Sequence, residues 1–177
     1  MDVADGELRL LPMTRDHFPL FVTWVDRPHV AQWWEHPRGP DEVEREYGPC
    51  VDGSDPTLVF VAELSGTPVG FVQVYRLADN PEYEQAVGVP HAAGIDLLIG
   101  EPELCGHGLG VRLIALAAEV AWESYPDVTG ATAGPSVHNF RSVRAFEKAR
   151  FVAVRQVTVP GEADDELVLV CPRPTGR

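Results

Sequence analysis

Residues 94–122 read GIDLLIGEPELCGHGLGVRLIALAAEVAW, a short apolar run between glycines, three alternating glycines and then a helix-forming stretch. The run Gly94–Gly100 reads as a buried central strand, because it lacks the polar alternation of a half-exposed one. One acid, Asp96, interrupts it. Val111–Glu123 reads as a helix with Leu113, Ile114, Ala117 and Ala121 on one apolar face. Glycine disfavours helix, so Gly106, Gly108 and Gly110 beside a helix start need a reason. A loop that follows a strand and opens a helix exposes unpaired backbone N–H groups, and the helix dipole adds positive charge. Phosphate suits that geometry, and glycines let the backbone come close to it. Neither common nucleotide motif fits: no Lys-Ser/Thr follows the glycines, and their spacing is G-x-G-x-G, not G-x-G-x-x-G. Taken alone, the loop also fits a plain turn that ends a strand.

The rest of the chain supplies more strands and helices. Leu8–Met13 reads as a first strand. Asp16–Trp24 and Pro28–Trp34 read as short helices, with Asp26 as a cap and Pro28 in the first turn. Asp41–Tyr47 reads as a third helix. Thr57–Leu64 and Pro68–Arg76 are β-rich and joined by SGT, the pattern of a hairpin. Leu77–His91 is polar, acidic and loop-like. Thr129–Ala133 reads as a strand. Pro135–Asn139 leads into a helix over Phe140–Ala149, with Phe140, Val143 and Phe146 spaced three apart. Phe151–Val159 and Glu166–Val170 read as closing strands. This order predicts an α/β (α+β) fold, one mixed and mostly antiparallel sheet flanked by helices. A single domain is expected over 1–171, with 172–177 a frayed C-terminal tail.

The formal charge is −13. That argues against a nucleic-acid binder, which needs a basic patch to release counterions. It suits a small cationic partner or plain solubility. No apolar run is long enough to span a membrane, and no leader pattern opens the chain, so a cytoplasmic protein is expected. The three cysteines, Cys50, Cys105 and Cys171, lack metal or redox spacing, and the six histidines are scattered. Free thiols and no metal are expected.

Strand, G-x-G-x-G loop, helix, strand and a later helix opening on Asn139, with F-E-K-A-R-F at 146–151, together resemble the GNAT superfamily of N-acetyltransferases. The resemblance implies acetyl-coenzyme A as co-substrate. Leu97, Leu98 and Ile99 would pair with its pantetheine arm. Cys105, Gly106, His107, Gly108, Leu109, Gly110 and Val111 would cradle its pyrophosphate, and Asn139 and Ser142 would flank the thiol. The superfamily's usual Arg or Gln three residues before the G-x-G pair is Cys105 here, which leaves the backbone cradle without that side-chain donor. Within the superfamily, FVTWVDRPHVAQWWEHP, EREYGP, GIDLLIG, CGHGLG and SVHNFRSVRAFEKARF are similar in order and spacing to aminoglycoside 6′-N-acetyltransferases. A sibling group, the lysine-side-chain acyltransferases of siderophore synthesis, echoes VYRLADN and LLIGEPEL, but usually has His in place of Asp96. A non-catalytic protein that binds coenzyme A or drug is a third reading.

Acetyl transfer to an amine needs a neutral nucleophile, a stabilised oxyanion and a leaving thiolate. The resemblance makes Asp96 the general base, and an acid within an apolar strand has the right chemistry to take an ammonium proton. Backbone N–H groups near Leu98 would serve the oxyanion. Many superfamily members protonate the thiolate with a tyrosine of the late helix. Phe146 stands there, so either water protonates the thiolate or no acid is needed. The A-G-F glycine of the same helix is Arg150. Acids and aromatic rings recognise sugar amines, which points to Trp34, Tyr47, Asp79, Glu82 and Asp96 for the substrate, with Trp33 and Glu84 beside them. A monomer and a homodimer both fit.

Overall fold

The computed structural model describes residues 6–175. Its strands are β1 (Leu8–Pro12), β2 (Leu58–Leu64), β3 (Thr67–Arg76), β4 (Ala92–Ile99), β5 (Gly130–Ala133), β6 (Val152–Val157) and β7 (Glu166–Pro172). Its helices are α1 (Phe18–Val25), α2 (Pro28–Ala31), α3 (Gly39–Asp52), α4 (Pro81–Val87), α5 (Leu109–Ser124) and α6 (Phe140–Lys148). The strands form one seven-stranded sheet in the order β1-β2-β3-β4-β5-β7-β6. Pairing is antiparallel at β1–β2, β5–β7 and β6–β7, and parallel at β4–β5. This is the expected mixed, mostly antiparallel sheet.

The chain divides into two compact units, Met1–Gln73 with Leu97–Leu113, and Val74–Asp96 with Ile114–Arg177. The core of the first unit gathers Phe21, Trp24, Val25, Val43, Tyr47, Val61, Phe71 and Leu98. Phe21 meets Phe71 and Tyr47 edge-on, with ring centroids 4.8 and 5.1 Å apart. Edge-on contact aligns the positive rim of one ring with the negative face of the next. In the second unit, Leu77, Val87, Ala92 and Val168 are buried, with Tyr75, Tyr83, Val89, Val157 and Val170 packed on them. On α5, Leu113, Ile114, Ala117 and Ala121 are all buried, as their helical spacing predicts.

Several boundaries differ from the sequence reading, each for a local reason. The segment 77–91 is not a loop. It holds a 3-10 turn over Leu77–Asp79 and then α4. Asn80 caps α4 by accepting from the Tyr83 N–H, Pro81 occupies the first turn, and Gly88 closes the helix at φ 67°. These start and stop signals outweigh the segment's polarity. Asp26 ends α1, and Arg27 in extended conformation precedes α2. α3 runs through Pro49 to Gly53, which caps it at φ 76°. Phe140 is 67% exposed, so the apolar face of α6 rests on Phe146. β7 continues through Cys171 and Pro172, where a frayed tail was expected, and the Arg173 N–H donates to the Thr129 carbonyl at 2.8 Å. The hairpin turn holds Ser65 at φ 51° and Gly66 at φ 80°, the doubly left-handed form that matches strand twist.

Arg150 stands in place of the superfamily's glycine and sits at φ 72°. It directly follows the C-cap of α6, where the backbone turns left-handed and glycine is preferred. An L-residue there carries about 1–2 kcal/mol of strain. Arg150→Gly is expected to raise stability by up to ~1 kcal/mol after the extra flexibility of the unfolded chain is subtracted. Thermal unfolding reads this as a rise of roughly 2–4 °C.

Candidate active site

Asp96 lies on β4, two residues past the end of the β4–β5 ladder. Ala92, Ala93 and Gly94 pair with Gly130, Ala131 and Thr132 in that parallel ladder. Asp96 is half-buried, less enclosed than its apolar surroundings in the sequence suggest. Its neighbours are phenols and a second acid. The Tyr75 hydroxyl donates to the Asp96 carboxylate, and the buried setting and the Asp96 charge together hold the phenol proton tightly. Tyr83, from α4, donates its hydroxyl to Glu166 Oε2 at 2.9 Å. Burial, and the Asp96 and Glu166 charges after it, raise the Tyr83 phenol as well. Glu166 opens β7 and is 9% exposed. Burial pushes its carboxyl up to about 7; the Tyr83 hydrogen bond opposes this, and the charges of Asp96 and Glu162 add to it.

Two glycines make room for this cluster. A Cβ on Gly94 would stand 2.3 Å from the Tyr75 ring, and one on Gly134 would stand 2.0 Å from Glu166 Oε2. Distances under 3 Å require something to move. Sequence reasoning missed Tyr75, Tyr83 and Glu166. A polar residue opening the apolar ELVLV strand was the available signal for Glu166; nothing local marks the tyrosines.

The glycine-loop region belongs to the first unit. Gly70 is so close to β4 that a Cβ there would lie 2.3 Å from the Leu98 carbonyl oxygen. The segment after β4 is strapped to α1 and α2. The His29 ring N–H donates to the Ile99 carbonyl at 2.9 Å, and Arg27 donates to the Gly100 carbonyl at 2.7 Å. Arg27 also pairs with the Glu101 carboxylate, which receives the Trp24 indole N–H at 3.1 Å. These donors, Arg27 first, hold the Glu101 carboxyl below its ordinary value. A Cβ at Gly100 would fall 2.2 Å from the buried Trp24 ring. A 3-10 turn over Pro102–Leu104 then leads to Cys105. Gly106 and Gly108 hold φ 84° and 88°, with open space where a side chain would begin. Leu109 anchors the start of α5 with no exposure, and the Arg112 N–H bonds back to the Gly108 carbonyl at 3.3 Å. Gly110 and Val111 stand in the first turn, and His107 is exposed beside the glycines.

The remaining candidates are placed unevenly. Asn139 caps α6, its side-chain oxygen accepting from the Ser142 N–H at 3.1 Å. Trp34 meets Phe21 and Phe71 edge-on, and its buried indole N–H has no partner within the described chain. Trp33 is 40% exposed. Tyr47 is 3% exposed, with its ring in the core beside Phe21 and Phe71. Asp79 pairs with Arg76 at 3.5 Å, and Arg76 also meets Asp127 at 3.2 Å, so part of the acidic segment is internally balanced. Glu82 is exposed in the first turn of α4, and Glu84 is half-buried. Phe146 is buried and meets Phe151 edge-on at 5.1 Å. Among the described residues no group of three metal-ligating side chains gathers, and no helix is long and apolar enough to cross a membrane.

The family model for the acetyltransferase (GNAT) domain matches residues 13–159. The chain belongs to the GNAT acetyltransferases. It is 31% identical over 161 residues to aminoglycoside N(6′)-acetyltransferase type 1 of Klebsiella pneumoniae, covering 89% of this chain and 80% of that relative. It is 25% identical over 126 residues to the lysine N-acyltransferase MbtK of Mycobacterium sp. (strain MCS), covering 71% of this chain and 51% of that protein. Among solved structures, aminoglycoside acetyltransferase AAC(6′)-Ib in complex with coenzyme A and kanamycin superposes with a TM-score of 0.83 at 29% identity, over 94% of this chain and 95% of that one. This GNAT chain has the fold its motifs imply, an acetyltransferase fold.

Proposed function

We propose that this acetyltransferase moves the acetyl group of acetyl-coenzyme A to an amine of an aminoglycoside, the 6′-amine, within the cytoplasm. The observation that carries the reading is Asp96, half-buried just past the parallel β4–β5 ladder and facing two phenols and a second acid. Similarity to N(6′)-acetyltransferases over most of the chain supports the acceptor. An acid cluster in a chain of net charge −13 draws a polycation by long-range attraction.

In this reading Asp96 binds the ammonium and takes its proton, which frees the lone pair to attack the thioester. Leu97, Leu98 and Ile99 hold the pantetheine arm, and an N–H near Leu98 faces the developing oxyanion. The backbone from Cys105 to Val111 holds the pyrophosphate at the start of α5, through the N–H groups that a first helical turn leaves unpaired. Asn139 and Ser142 border the thiol. With Phe146 in place of a hydroxyl, water protonates the thiolate. Trp34, Asp79 and Glu82 border the acceptor, whereas Tyr47, buried in the core beside Phe21 and Phe71, does not reach it. The enzyme works without a metal, as a monomer or homodimer, on a single domain over 1–171.

The test is free-thiol release from acetyl-coenzyme A by the purified protein. Release with kanamycin, lost when the 6′-amine is replaced by hydroxyl, is the expected result. Release with side-chain N-hydroxylysine alone moves the chain to the siderophore acyltransferases. Binding of both ligands without release leaves a non-catalytic binder.

A further inference from the structure

Glu166 is a buried carboxylate that the acetyl-transfer scheme leaves without a task. Two side chains of the second unit, Tyr75 and Tyr83, connect it to Asp96. Tyr75 donates to Asp96. The Tyr75 hydroxyl is also within hydrogen-bond reach of the Tyr83 oxygen, so its single proton points to Asp96 while Asp96 is charged and turns to Tyr83 once Asp96 is protonated; the two rings lie 6.4 Å apart. The Tyr83 hydroxyl donates to Glu166 Oε2 at 2.9 Å. The positions are fixed from both ends. The Ser136–Glu166 bridge and the Leu167 N–H, bonded to the Pro135 carbonyl at 2.9 Å, pin the start of β7. Gly94 and Gly134 lie flat against Tyr75 and the Glu166 carboxylate.

We propose that Glu166 is the final holder of the proton that the acceptor amine gives up, reached from Asp96 through the hydroxyls of Tyr75 and Tyr83. This rests on Asp96 as the base. An ammonium N–H bond breaks and an Asp96 O–H bond forms. Asp96 passes that proton to the Tyr75 oxygen, Tyr75 passes its own to the Tyr83 oxygen, and Tyr83 passes its own to Glu166 Oε2. Each phenol ends with one proton, Asp96 is again an anion, Glu166 is neutral, and water later removes the stored proton. Two acids whose proton affinities are pulled apart divide the work in this way: one stays charged to hold a cation and the other stores a proton.

The surroundings of Glu166 favour storage. Its carboxyl titrates near neutrality, at about 7, mainly through burial. Tyr83 faces it from α4, Asp96 acts on it from β4, and Glu162 acts on it from the link before β7. In that link, Asp164 is engaged by Ser136, and Asp165 by Gln156 and Thr158 with the charge of His138 nearby. Because Asp96 and Glu166 interact, the measured midpoints belong to the pair.

Two measurements on the full chain decide it. The first follows the Glu166 carboxyl by infrared difference titration, with Glu166→Gln identifying its band. A midpoint near 7 that falls toward an ordinary glutamate in Asp96→Asn is expected. An ordinary midpoint, or one that Asp96→Asn leaves unmoved, overturns the proposal without reference to any acceptor. The second is the pH profile of kcat/KM with acetyl-coenzyme A and kanamycin. Glu166→Gln and the conservative Tyr83→Phe should each shift the acid limb to lower pH and cut kcat by about 10–100-fold, less than removal of the base itself, with KM for kanamycin little changed. A wild-type profile in both variants overturns the relay while leaving the base in place. Full turnover in Asp96→Asn overturns the base reading instead.

Discussion

Asp96→Asn is expected to lower kcat by about 10²–10⁴-fold, the range that a positioned general base supplies. The amide cannot take the ammonium proton at any working pH, so the acceptor stays protonated and has no lone pair. Size and shape barely change, and the side chain is only half-buried, so the fold should persist. Coenzyme A affinity should move little, because the Cys105–Val111 backbone that would hold its pyrophosphate is unchanged by the substitution. Initial rates beside equilibrium titration with coenzyme A separate the two. Equal losses in turnover and coenzyme binding would remove Asp96 from the chemistry.

The second large effect lies in that loop. Gly108→Val should weaken coenzyme A binding by about tenfold or more while thermal stability falls modestly. Gly108 sits at φ 88°, where a β-branched residue is strained. No protein atom lies within 4 Å of a Cβ placed there, so the clash is not internal. The side chain would instead fill the space in front of the N–H groups at the start of α5, where a phosphate must approach closely. Calorimetry with coenzyme A reads the loss, and unchanged affinity would argue against the phosphate cradle.

Much of this protein is visible in its sequence because it uses strong local signals. GIDLLIG reads as a central strand, and the glycines followed by Leu109 read as a loop that opens a helix. The hairpin at Ser65–Gly66 announces itself through its turn residues. The 77–91 segment does not, because a seven-residue helix spans fewer than two turns, too few for a periodic apolar face, and its caps lie among acids that resemble a solvated loop. Phe140 misleads in the opposite direction: regular spacing placed it on an apolar face that the helix does not bury. The candidate base was legible as a lone acid in an apolar strand. Its companions were not. Tyr75, Tyr83 and Glu166 come from three separate elements, and only the folded sheet and α4 bring them together. The strap at residues 99–101 was hidden for the same reason, since Trp24, Arg27 and His29 are about seventy positions away along the chain.

The space between Gly134 and Glu166 can hold one side chain. With 2.0 Å between Glu166 Oε2 and an imagined Cβ on Gly134, no residue larger than glycine enters at 134 while the glutamate keeps its place. The two positions are therefore a single unit of variation. A descendant that gains a side chain at 134 must first shorten or redirect the one at 166, and a chain that moves its acid from β7 to the end of β5 must exchange both together. A side chain gained at 134 alone turns the flexible end of Glu166 away and costs it the hydrogen bond from Tyr83, so the cost of a change at one position is set by the other.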